Sequence, residues 1–466
     1  MECAKTPSSR LPGTEPIPRA VARVALPSVA GQIVMVLYQM ADTFFVARTG
    51  SDAMIAAVTV CMPAFMILSA IANLFGIGGA GAMARALGSK MPGRFRDAEA
   101  FALWGCGGMT AVYSLLVLLG MNPLLDLLGG WEPRVHALAR SYLLVTVVLG
   151  GLGASLSGAL AHLLRARGRS LHASLGVSLG GVLNIALDPL FMFVLLPRGR
   201  EALGAAVATA LSNLCSLCYL SKILLDEKRG PDQETAPSLF PRKSCLQSQL
   251  PREILATGLP AFLMTVMENV SCAVLEHLMG LEGLTQQAGA GVAKKLNLLA
   301  HSLVRGMAQG VLPLLAYHYA AGERKRMYGV LRFSLTVSVG LALLCTGAGL
   351  LFGQQLTGLF LEADSASRAD AALFLRILCL GAPWSAAAYG CISFFQATGH
   401  SLLSFVLACA RKGALDIPLM FLLRAELGAA GIVWATPAAD ALCCLLALSV
   451  LWRFVRRKPA EDGLTP

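Results

Sequence analysis

Twelve apolar runs, each long enough to cross a bilayer as a helix, fill nearly the whole of this 466-residue chain. They fall near 22–47, 53–83, 99–128, 136–163, 171–196, 202–225, 254–280, 287–317, 329–360, 371–397, 401–423 and 429–455. About 20 apolar residues, rising 1.5 Å each, cover a hydrocarbon layer roughly 30 Å thick. No water is present there to satisfy backbone N–H and C=O groups, so a run of this length must bond internally as a helix. The expected fold class is an all-α polytopic membrane protein with twelve transmembrane helices. Charged residues agree: they make up 14% of the chain, where soluble proteins carry about 25%. The 13 cysteines show no metal-site pairing. Cys215, Cys218, Cys443 and Cys444 fall inside apolar runs, where cysteine acts as a small hydrophobe. Neither a metal site nor a disulfide framework is expected.

One long polar segment, "DEKRGPDQETAPSLFPRKSCLQSQLPRE", separates the sixth run from the seventh. It divides the chain into an N-terminal tail (1–19), a six-helix bundle (20–226), a linker (227–252), a second six-helix bundle (253–456) and a C-terminal tail (457–466). No cleavable signal peptide is expected ahead of the first run. The net charge of +11 raises the question of nucleic acid, and the placement of the charge answers it. On alternate loops, one side holds Lys5, Arg10, Arg19 and Arg23, then Arg85, Lys90, Arg94 and Arg96, then Arg165, Arg167 and Arg169. The linker, Arg324, Lys325 and Arg326, and the final Arg453, Arg456, Arg457 and Lys458 share that side. It carries about two dozen Lys and Arg against about eight on the other. The basic excess is therefore a topology signal that puts this side, with both termini, in the cytoplasm of a plasma (inner) membrane protein. No nucleic-acid partner is expected.

The two halves repeat one another. "RARGRSLHAS" (165–174) matches "QATGHSLLSF" (396–405), and "LDPLFMF" (187–193) matches "LDIPLMF" (415–421). "LGAAVATALSN" (203–213) matches "LGAAGIVWATPAAD" (427–440), and "ALPSVAG" (25–31) sits like "GLPAFLM" (258–264). An even number of spans per half lets both halves enter from the same side, so the bundles form a parallel repeat about an axis normal to the membrane. A cleft between two such bundles is the architecture of alternating access.

Polar residues inside the runs mark what the cleft could hold. A carboxylate near the bilayer centre costs roughly 2.5–3.5 kcal/mol on insertion scales. Asn184 and Asp188 are one helical turn apart, as are Tyr38 and Asp42, so each pair presents one polar face. Gly180 and Gly181 beside Asn184 would admit a close neighbouring helix. Pro27 removes a backbone bond inside its run and favours a bend. Simpler readings stay open: Asp188 before Pro189 is compatible with a helix-end turn, and Asp42 with an interfacial position near Arg48. Asp416, with its own nearby proline, and Asp440 read as structural.

"LPSVAGQIVMVLYQMADTFFVARTG", followed by "NIALDPLFMF" and "LGAAVAT", resembles the multidrug and toxic compound extrusion (MATE) family over residues 20 to 455, most like its DinF-type branch. The resemblance implies efflux of cationic or amphipathic small molecules in exchange for H⁺ or Na⁺, with no cofactor and a monomer embedded in lipid. It places the family's first-span acid on Asp42, the tyrosine before it on Tyr38 and the bending proline on Pro27. The fifth-span pair falls on Asn184 and Asp188 and the sixth-span hydroxyl on Thr209. Glu268, in "LPAFLMTVMENV", stands where another branch keeps a seventh-span acid, which puts the branch and the coupling ion in question.

Such a site has a physical use. A desolvated carboxylate is poorly stabilised when charged, so proton or sodium binding relieves it and biases one bundle conformation over the other. Glu268 is expected to be different. Counting inward from the outer ends puts Lys294 and Lys295 of the eighth run near its level, so an ion pair with one of them would keep it charged. An exporter of lipid-linked saccharide or another large substrate is the main alternative, and it should line the first bundle with Arg or Lys, which that bundle lacks in mid-span. An enzyme is not expected. His162, His172, His277 and His301 are scattered, and no HExxH is present.

Overall fold

A computed structural model describes residues 15–49, 51–129, 131–197, 199–228, 236–237, 249–358, 360 and 366–456. The first 14 residues, most of the linker, and the tail from 457 lie outside them, and with them Lys5, Arg10, Arg457 and Lys458.

The described residues fold as helices without a strand. The first three spans are α1 (Ile17–Ala47), α2 (Asp52–Gly88) and α3 (Pro92–Leu119). A short helix, Met121–Leu127, joins α3 to α4. That fourth span is Pro133–Leu143, a π-helical turn over Leu144–Leu149, and Gly151–Ala166, bent by 47°. The fifth, α5 (Ser170–Pro189), continues through a π-helical turn at Leu190–Leu195, and α6 (Glu201–Lys228) closes the first half. The second half holds α7 (Leu250–Glu282), α8 (Leu284–Ala320), α9 (Arg324–Thr357) and α10 (Ala366–Ala397). The last helical stretch, Ser401–Arg456, is 56 residues long. As one helix it would reach roughly 84 Å, far more than a bilayer. Gly428 breaks it with φ 59° and ψ −137°, a conformation open to glycine. The break makes two spans, α11 (401–427) and α12 (429–456), so the spans number twelve, in two lobes, α1–α6 and α7–α12.

Helix ends depart from the apolar runs where a proline or a charged turn extends them. Pro92 and Pro133 begin α3 and α4 several residues early, because the first helical turn needs no N–H from them. Pro27 lies inside α1, which is assigned as one helix from Ile17 to Ala47.

The two lobes are joined at one end. Near the termini, a single apolar core mixes Val24, Ala25 and Val29 of α1 with Val311, Leu315, Met327 and Phe394 of the other lobe. A second mixes α2, α3 and α4 with Leu250 and Ile254 of α7. At the opposite end the cores are separate. One is built only from the first lobe, including Val46, Met54, Leu125 and Leu143, the other only from the second, including Leu278, Phe374 and Ile432. A cleft therefore lies between the lobes and opens away from the termini.

Candidate functional site

The polar groups of α1, α5 and α6 meet inside the first lobe. Asp188 is fully buried and Asn184 is 3% exposed. Asn184 donates from Nδ2 to Asp188 Oδ1 at 3.1 Å and to Thr209 Oγ1 at 3.3 Å. Pro189 does not end the helix as a turn would: the chain runs on in the wider π-helical turn, a form often found where a side chain is given a special direction. Tyr38 packs against Gly181, at whose backbone an added Cβ would lie 3.2 Å from the ring. Asp42 is half-buried and lies within electrostatic reach of Asp188, and Tyr38 of both acids. Arg48 stands over the Phe44 ring, 5.8 Å from its centroid.

Three buried oxygens here, Asp42 Oδ1, Asn184 Oδ1 and Asp188 Oδ2, have no hydrogen-bond donor. Buried carbonyl and carboxylate oxygens are ordinarily paired. Hard oxygen donors of this kind suit a proton or a small hard cation such as Na⁺. Tyr142 of α4, 4% exposed, lies within electrostatic reach of Asp42, Asp188 and Tyr38. Sequence reasoning missed it: a lone tyrosine in an apolar run has no spacing partner to reveal it. Lys295 of α8, exposed, is electrostatically coupled to Asp42 from the other lobe.

The second lobe is built differently. Glu268 does not pair with Lys294 or Lys295 as expected. Its carboxylate takes both oxygens to Arg305 Nη2, at 2.6 and 2.9 Å, while Lys294 turns to Cys272 Sγ. The partners do lie on adjacent α7 and α8. Deeper in the lobe, Arg411 Nε bonds Asp440 Oδ1 at 2.8 Å with both side chains fully buried. The Arg411 guanidinium also sits 4.2 Å from the Tyr389 ring centroid. Lys412 donates to Asp416 Oδ2 at 3.1 Å. Asp416 and Asp440 thus lie in ion pairs, a structural setting. His301 Nδ1 is 3.3 Å from Ser385 Oγ.

At the closed end, hydrogen bonds cross from lobe to lobe. Gln32 donates to Gln309 at 3.1 Å and Asn73 to Thr265 at 2.9 Å. Arg85 bonds Glu253 Oε1 at 2.9 Å, Thr257 Oγ1 at 3.1 Å, and the Gln396 and Ala397 carbonyls at 3.2 and 3.1 Å. Arg94 reaches the second oxygen of Glu253.

A family model described as MatE matches residues 27–190 and again 259–422, one copy in each lobe. The chain belongs to the MatE family. It is a membrane transporter of that family and not an enzyme. The multidrug export protein MepA of Staphylococcus aureus (strain NCTC 8325 / PS 47) is 27% identical over 439 residues, 94% of either chain. That of Staphylococcus saprophyticus is 25% identical over 434 residues, 93% of each. Among solved structures, an outward-facing MATE transporter of the MOP superfamily aligns with a TM-score of 0.84 at 24% identity. A MATE in complex with MaL6 aligns at 0.87 and 23%. Each alignment covers 97% of this chain and 98% of the other. At these identities the structures establish the fold alone, two lobes of six helices.

Proposed function

We propose that this MatE-family protein exports cationic or amphipathic small molecules across the plasma membrane in exchange for H⁺ or Na⁺, by alternating access of the cleft. The observation that carries the reading is the set of three buried oxygens without donors on Asp42, Asn184 and Asp188. A cation bound there supplies the missing partner, and its binding favours one arrangement of the first lobe. The protein works as a monomer, with both termini in the cytoplasm, so the cleft of this structure faces outward. Lipid-linked saccharide is the weaker reading. Three of the second lobe's cations, the half-buried Arg305 and the buried Arg411 and Lys412, are each held by a carboxylate, which leaves them ill-suited to a large anion.

The energetics bear on stoichiometry. One charge crossing about 120 mV is worth roughly 2.8 kcal/mol, and one pH unit about 1.4 kcal/mol. One H⁺ exchanged for one monovalent cation moves no net charge, so voltage adds nothing; two protons would restore it. The test is dye efflux in proteoliposomes under H⁺ and Na⁺ gradients imposed separately. Wild type should concentrate an ethidium-like cation under at least one gradient. Asp188→Asn and Asp42→Asn should insert and fold but fall to the leak rate, because an amide exchanges no proton and gives up a charge that would hold Na⁺. Full efflux by both variants would sink the reading, and loss through Glu268→Gln alone would move the coupling site to the second lobe.

A further inference from the structure

The repeat places a second copy of the Asn184–Asp188 pair in the other lobe, and that copy carries its own cation. Asn184 and Asp188 correspond to Lys412 and Asp416, both 228 positions on, in the matched "LDPLFMF" and "LDIPLMF" stretches. Thr209 corresponds to Thr436, the threonine that ends "LGAAVAT" and "LGAAGIVWAT". The bond between the first two positions repeats with the register, while the threonine bonds the asparagine in one lobe and the aspartate in the other. In the first lobe, Asn184 bridges Asp188 and Thr209 at 3.1 and 3.3 Å. In the second, Lys412 Nζ lies 3.1 Å from Asp416 Oδ2, and Thr436 Oγ1 donates to Asp416 Oδ1 at 3.1 Å. Ser271 Oγ adds a bond to Asp416 Oδ2 at 2.7 Å.

The two copies differ in what they leave unmet. Asn184 Oδ1 and Asp188 Oδ2 have no donor, and neither has Asp42 Oδ1, on an acid within electrostatic reach of Asp188. Both oxygens of Asp416 are satisfied; in the adjoining Arg411–Asp440 pair, Asp440 Oδ2 and both Arg411 Nη atoms lack a partner. The charge balance differs in the same sense. Around the second copy stand Glu268, Asp416 and Asp440 against Arg305, Arg411 and Lys412, each acid with its own cation, and His301 beside them. Around the first stand two acids and the hydroxyls of Tyr38 and Tyr142, with Lys295 coupled to Asp42 from the far lobe.

We propose that Lys412 is a built-in occupant of the second copy of the cation site. Its ammonium holds, on Asp416, the place that a mobile cation takes on Asp188, so only the first lobe couples transport to an ion. The proposal rests on the reading of the Asp188 site as the coupling site. It adds a role for the duplication: one copy exchanges its cation and the other has it covalently tethered. A further cation at Asp416 would meet an ammonium already in place and Arg411 one residue away.

Thermal stability of the purified protein tests it, because a ligand bound only by the folded state raises the midpoint as its concentration rises. Unfolding is followed against Na⁺, with choline holding ionic strength, and against pH. Asn184→Lys, which writes the second copy's chemistry into the first, should fold and lose the cation dependence of wild type, as Asp188→Asn should. In the Asp188→Asn background, Lys412→Asn should restore a cation-dependent rise of the midpoint that Asp188→Asn alone lacks. The proposal falls if Asn184→Lys keeps the wild-type response, or if the double variant is folded and as unresponsive as Asp188→Asn. Either arm decides alone if the other variant does not fold. A wild-type response retained by Asp188→Asn itself would instead remove the coupling-site reading on which both arms stand.

Discussion

At the scale of single residues, the two lobes treat buried carboxylates in opposite ways, and their variants should separate accordingly. Arg411 and Asp440 are both fully buried and bonded to each other. Removing one partner of such a pair strands a charge and costs about 3–5 kcal/mol, whereas replacing both by apolar groups of similar volume is often neutral. Arg411→Met and Asp440→Leu should each lower the thermal midpoint strongly, and the double variant should recover most of the loss. Equal losses in the single and double variants would show that the pair is not the cause. Asp42→Asn and Asp188→Asn should not lower the midpoint, since each removes a charge that no side-chain cation neutralises by direct contact. Tyr38 with Asp42, and Asn184 with Asp188, stood out in the sequence as polar pairs one turn apart in hydrocarbon, and the family resemblance put the two pairs into one expected site. The partner of Glu268 did not stand out. Lys294 and Arg305 are eleven residues apart, close to three turns, so they share a face of α8. Level along the helix did not choose between them. The partners did: Lys294 turns to Cys272, Lys295 is exposed, and Arg305 takes the carboxylate.

At the scale of helices, close packing at the closed end depends on missing side chains. A Cβ at Gly258 of α7 would collide with the Leu74 carbonyl of α2, and one at Gly78 with the Ile254 carbonyl. On the α1–α8 seam, a Cβ at Gly306 would lie 2.6 Å from Val29 Cα and one at Gly310 2.7 Å from Ala25 Cα. These contacts are backbone, so they cannot yield by a change of rotamer, and the helices must move apart. Gly258→Ala and Gly306→Ala should therefore shift the population toward lobes separated at the terminal end. Spin-label distances between α2 and α7 would read it, and an unchanged distance distribution in both variants would count against glycine contact as the determinant of closure. Substitution of Gly93, which has open space around it, is the control and should leave the distance unaltered. The number of helices was legible from hydropathy, but these seams were not. A glycine in an apolar run is silent until the helix facing it is known. The break at Gly428 was legible only because two apolar runs stood back to back.

At the scale of the whole molecule, the orientation and the open cleft make one joint prediction. The basic loops at Lys90 and Arg324 lie at the end where α1 begins and α12 finishes, and the separate cores lie at the other. If the basic end is cytoplasmic, the water-filled mouth faces outside in this state. Lys295 stands exposed toward that mouth, while Gln32 and Gln309 lie bonded to each other nearer the closed end. On a background without native thiols, Lys295→Cys should react from outside intact cells with a charged, membrane-impermeant maleimide. Lys90→Cys should stay unlabelled until the cells are opened, and Gln309→Cys should react slowly from either side. A reagent of this size needs an aqueous route, so labelling at 295 reports both sidedness and opening. Labelling of Lys90→Cys from outside would invert the topology. Protection of both positions from outside, with Glu132→Cys accessible as a marker of the outer face, would keep the topology and show the outer mouth closed in the membrane.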